Sequence, residues 1–116
     1  MEPLAKEENK NVVEHKVQQA QQKNAEDSVG AANLLDLARR FKVLKDSAKA
    51  IDSYEQSVCL DVNNFKASLE LANLLTELGY GRHASIYYQN ALRLKPESAA
   101  AIFGLVLAIE RHAKDP

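Results

Sequence analysis

The sequence predicts an all-α fold of stacked helix pairs, on three observations. Ala, Leu, Lys, Glu and Gln dominate the 116 residues and no β-branched run appears, a composition that favours helix over strand. Residues 47–62, SAKAIDSYEQSVCLDV, have an echo 34 residues later in GRHASIYYQNALRLKP, residues 81–96. Ala84 stands over Ala50, Tyr88 over Tyr54, Leu92 over Val58 and Leu94 over Leu60. Within each 34-residue frame the apolar positions form two groups, each at helical spacing. A hydrophobic fraction of 46% is enough for the core of one small domain.

Three zones follow one another. Residues 1–28 are polar and Gln-rich, with VQQAQQK at their centre. Val13, Val17 and Ala20 make a thin apolar stripe there, interrupted by Lys16. The stripe suggests a degenerate helix over residues 10–26 that packs on a helix at 31–43. A disordered arm is the alternative, because the apolar content is low. Residues 29–116 form the repeat domain, with frames at 31–64 and 65–98 and a half frame from 99 to 116.

The first helix of each frame is read from its fourth, seventh, eighth and eleventh positions. These are Leu34, Leu37, Ala38 and Phe41, then Ser68, Leu71, Ala72 and Leu75, then Ile102, Leu105, Val106 and Ile109. Spacings of 3, 1 and 3 put each set on one face. The second helix is read from positions twenty, twenty-four and twenty-seven: Ala50, Tyr54 and Ser57, then Ala84, Tyr88 and Ala91. KDS at 45–47 and GYGR at 79–82 supply the turns between them. Asp46 or Ser47 can accept from the free N–H groups of a following helix. Gly79 can end its helix in a left-handed conformation, and Pro96 closes the second frame. Small residues at Ala38 and Ala50 allow close helix approach, while Phe41 and Tyr54 fill the surrounding space. A single pair cannot bury both faces, so pairs stack.

Period, small–large alternation and turn placement resemble the tetratricopeptide repeat (TPR) family, over two complete repeats and half of a third. No Trp stands at the fourth position, Val62 replaces the usual Pro, and Val106 replaces a small residue. The resemblance implies a right-handed α-solenoid of antiparallel helix hairpins, with an extra N-terminal helix as an option. It implies a concave groove lined by the second, fifth, sixth, ninth, twelfth and thirteenth positions of each repeat. Those are Ala32, Leu35, Asp36, Arg39, Lys42 and Val43; Lys66, Leu69, Glu70, Asn73, Thr76 and Glu77; and Ala100, Phe103, Gly104, Leu107, Glu110 and Arg111. It also implies a partner that is a protein, held as a peptide or a helix.

One TPR subfamily clamps the C-terminal carboxylate of heat-shock chaperones with Lys, Asn and Arg side chains. The matching positions here are Leu35, Arg39, Glu70, Ala100 and Gly104. Glu70 and the missing bases would leave that carboxylate unpaired, so a chaperone C-terminus is not the expected ligand. In its place Leu35, Leu69 and Phe103 recur at the repeat spacing, with Leu107 one turn beyond Phe103. They suggest an apolar strip for an extended segment or an amphipathic helix.

Net charge is −1, and the charges do not segregate, which argues against nucleic acid as a partner. The longest apolar run, residues 99–109, has eleven residues, short of the roughly 20 of a membrane span. The acidic N-terminus does not read as a targeting peptide. One cysteine, Cys59, suits a reducing compartment and is expected part-buried in the core. A cytoplasmic location follows, with nuclear the alternative. No nucleotide-binding or hydrolase motif is present. His15, His83 and His112 lack partners at metal-ligand spacing. Asp36 and Glu70 face the groove without a nucleophile. No enzyme, cofactor or metal site is therefore expected.

The helix from residue 99 is apolar nearly all round, which normally means burial. If Ile102, Leu105 and Ile109 pack on the preceding pair, then Phe103, Val106 and Leu107 remain as an interface. The expected function is an adaptor or scaffold within a larger assembly. The alternative is a structural, self-associating subunit or part of a longer TPR protein.

Overall fold

The computed structural model describes residues 26–114, and these residues are all-helical, with five helices and no strand. They are α1 (residues 26–43), α2 (Ser47–Leu60), α3 (Phe65–Glu77), α4 (Gly81–Leu94) and α5 (Ala99–Lys114). α2 packs on α3, α3 on α4 and α4 on α5, and α5 also touches α3. The expected helix over residues 10–26 lies almost wholly outside the described residues. Where the two meet, the chain is helical from residue 26 through Gly30, so no break separates 26 from 31. Gly30 costs helix propensity, but α2 lies alongside it. A Leu60 methyl would sit 3.6 Å from a Cβ at residue 30, and Ser57 Oγ donates to the Ala31 carbonyl at 2.7 Å.

The turns after α1 and α3 have the same construction. Asp46 N–H returns to Phe41 O at 3.0 Å, and 34 residues later Tyr80 N–H returns to Leu75 O at 2.8 Å. Both close over a left-handed residue, Lys45 at φ 66° and Gly79 at φ 90°. This is the helix stop that satisfies terminal carbonyls, and it favours glycine because a Cβ crowds the backbone there. Asp46, not Ser47, caps α2 by accepting from Lys49 N–H at 3.2 Å. Asn64 and Ser98 cap α3 and α5 in the same way.

The core follows the small–large pattern. Ala38, Ala50, Ala72 and Ala84 are fully buried, and Tyr54, Tyr88 and Leu71 fill the space between them. Each such large apolar side chain contributes about 2–3 kcal/mol by burial. The buried serines are satisfied: Ser57 bonds Ala31, and Ser68 Oγ accepts from Asn90 Nδ2 at 2.8 Å. Asn90 also donates to the Val62 carbonyl, fastening α4 to the α2–α3 turn.

Four expectations change. Leu37 is exposed, since no described helix covers that side of α1. Cys59 is exposed rather than part-buried. It follows Ser57 and Val58, which take the buried face of α2, and it turns outward beside Asp52, Glu55 and Gln56. On α5, Ile102 and Ile109 do not pack on α4. Leu105 is half-buried against the core as expected, and Ala101, Gly104 and Ala108 are buried in place of the two isoleucines, because small residues let the two axes approach. A Cβ at Gly104 would overlap the Tyr88 ring, and one at Gly81 would strike the Ala108 carbonyl.

Candidate functional site

The first, third and fifth helices share one side of the molecule, where polar side chains join them. Arg39 on α1 donates Nε and Nη2 to the two carboxylate oxygens of Glu70 on α3, at 2.8 and 2.6 Å. Asp36, one turn earlier, stands 3.6 Å from the same guanidinium. Tyr54 O–H reaches Glu70 from α2 at 3.2 Å. Partial burial pushes the Glu70 carboxyl up, but the Arg39 guanidinium and the Tyr54 hydroxyl outweigh it and hold the group below the usual carboxylate range. Tyr54 is pushed up to about 12, first by burial and then by the Glu70 charge. Glu70 is thus held ionised and engaged on both oxygens. It is a structural brace between α1 and α3.

Leu35 lies one turn before Arg39 on α1 and is buried in the core. It is not available to an apolar strip. Leu69 is half-buried against the same core. Phe103, on the last described helix, is 70% exposed. The row of Leu35, Leu69 and Phe103 therefore does not form one open surface.

A cleft of about 370 Å³ opens between α3 and α5, with Lys42 in its lining. Its walls are Asn73, Thr76 and Glu77 from α3, Ala100, Phe103, Gly104, Leu107 and Arg111 from α5, and Tyr88 from α4 below. Every one of these except Tyr88 stands at a position singled out for the groove in the sequence. Tyr88 enters because Gly104 has no side chain to cover it. Its hydroxyl donates to Asn73 Oδ1 at 2.6 Å and lies 3.3 Å from Thr76 Oγ1. Arg111 Nη1 donates to the Thr76 carbonyl at 2.8 Å, closing the end of α3. The floor is polar and pre-tied, while Phe103 and Leu107 give an apolar lip.

No family model matches this chain, and no curated protein is significantly similar to it in sequence.

The outer side of α5 is another exposed apolar surface. Ile102, Phe103, Val106 and Ile109 are 47, 70, 51 and 54% exposed. At 100° per residue they span an arc of about 120°, on which Glu110 is the one charged side chain described. Val106 belongs to that outer arc, together with the two isoleucines that were expected to pack. Leu107 is half-buried and belongs to the cleft. Among the described residues no group of three His, Cys, Asp or Glu converges to hold a metal, and no helix is long and apolar enough to cross a membrane. Arg82 contacts His112 Nε2 at 3.2 Å, tying α4 to α5.

No local sequence pattern marks the Arg39–Glu70 pair, since its partners lie in different frames. A buried tyrosine must satisfy its hydroxyl, and Tyr54 does so on Glu70. The 34-residue echo placed both tyrosines in the core without asking where their hydroxyls went.

Proposed function

We propose that the chain is a TPR-type scaffold, a right-handed solenoid of two helix hairpins and a half, that holds protein partners and performs no chemistry. The observation that carries this reading is the uncovered outer face of α5. On α3, where α4 packs, Ser68, Leu71, Ala72 and Leu75 are all buried. Their counterparts one period later include Ile102, Val106 and Ile109, and these face outward. A surface of that kind is a place for another helix.

The cleft supports the same reading. Asn73, Thr76 and Arg111 present polar groups beside Phe103 and Leu107, the mixture that fixes an extended segment by its backbone and one or two apolar side chains. A chaperone C-terminal carboxylate does not suit it. Arg39, the one base among the clamp positions, is spent on Glu70, and Ala100 and Gly104 bring no charge. Nucleic acid is not the partner, given the near-neutral charge. The scaffold needs no cofactor, and it acts in the cytoplasm or the nucleus.

The experiment is a crosslinking pull-down from native extract, comparing the unaltered chain with Phe103→Ser. Phe103 is exposed and its loss leaves the core intact, so partner recovery falls while the unfolding midpoint stays within a degree or two. Undiminished recovery removes the cleft and the α5 face from the account.

A further inference from the structure

We infer that the outer face of α5 binds the same face of a second copy of this chain, in a two-fold antiparallel helix pair. The inference rests on the scaffold reading and names one partner for it. The face is nearly the same read in either direction: Ile102 lies four residues before Val106 and Ile109 three after it. A two-fold axis near Val106 therefore sets large apolar side chains against large apolar side chains along the whole stripe, which is what an isologous contact requires.

Charge fits the same arrangement. Glu110 is exposed at the C-terminal end of the stripe. Antiparallel pairing brings it beside the first turn of the second copy's α5, where unpaired backbone N–H groups favour an anion. A parallel pair would set Glu110 against Glu110 instead.

Area sets the strength. The exposed fractions of Ile102, Phe103, Val106 and Ile109 correspond to roughly 400–500 Å² of apolar surface per copy, the size at which a patch marks a contact. Joining two such faces buries about 900 Å², less than a stable interface and in the range of weak, transient contacts. The dimer is weak and concentration-dependent.

The test is sedimentation equilibrium on the full chain, with two variants. The unaltered chain associates and stops at the dimer. Ile102→Asp with Val106→Asp, both at exposed positions, weakens association at least about tenfold with the helical circular dichroism unchanged. Val106→Cys in a Cys59→Ser background forms a disulfide-linked dimer under mild oxidation, whereas Arg93→Cys in that background does not. A chain that stays monomeric at millimolar concentration overturns the inference, as does assembly that runs on past the dimer or equal crosslinking at residue 93. If the chain is monomeric but the double Asp variant loses its partners in the pull-down, the second copy is wrong and the scaffold reading stands. If neither association nor capture changes, both fail.

Discussion

Arg39 and Glu70 stand 31 residues apart in sequence and meet through two hydrogen bonds of 2.8 and 2.6 Å, one to each carboxylate oxygen. The pair joins α1 to α3. Both side chains remain partly open to solvent, so the pair contributes up to about 1 kcal/mol.

Its contribution has a defined pH window. The Glu70 carboxyl is lowered in the folded chain, so its stabilisation is present above the unfolded carboxylate range and is lost as pH falls through the folded value. Glu70→Gln therefore lowers the denaturant midpoint at pH 7, and the gap to the unaltered chain closes below about pH 4. A gap that persists unchanged at pH 2 contradicts the assignment.

Gly104 is fixed by the Tyr88 ring beneath it. Alanine is the better helix former by about 1 kcal/mol, yet Gly104→Ala destabilises by about 1–3 kcal/mol, because Tyr88 is buried and held by Asn73. Urea unfolding followed by circular dichroism reads the sign. A more stable variant means that α4 and α5 are less closely packed.

Ala84 is fully buried in α4. Ala84→Leu overpacks the core and costs about 1–3 kcal/mol. An unchanged unfolding midpoint contradicts the burial on which the 34-residue register rests.

Lys45 occupies the left-handed position that Gly79 fills one period later. Lys45→Gly relieves that backbone and raises stability by about 1 kcal/mol. The side chain is exposed, so nothing is lost in packing. A lower midpoint indicates that the Lys45 side chain makes a contact worth more than the strain.

How far the sequence carried this picture depends on what each element needs. The all-helical fold and its small–large core were legible from Ala50, Tyr54, Ala84 and Tyr88, because periodicity reports burial when both neighbours of a helix are present. The residues that line the cleft, Tyr88 apart, stand at positions that the TPR resemblance, rather than composition or spacing, had implied for a groove. Two things were not legible. The face of α5 that packs was misread, because large residues mark a buried face only if the neighbour stands at ordinary distance. α4 and α5 meet instead through Gly81, Ala101, Gly104 and Ala108, leaving Ile102 and Ile109 outside. The Arg39–Glu70 brace was hidden because no local pattern links residues from different frames. Burial in the core took Leu35 out of the strip that a simple repeat of positions had drawn.

The most direct test of the scaffold account is hydrogen–deuterium exchange on the chain alone and with a partner recovered by crosslinking. The account predicts slowed exchange over residues 73–77 at the cleft and over 100–111 on α5, with the outward side of α2 near Cys59 unchanged. Protection confined to α2, with α5 exchanging as it does in the free chain, would contradict it.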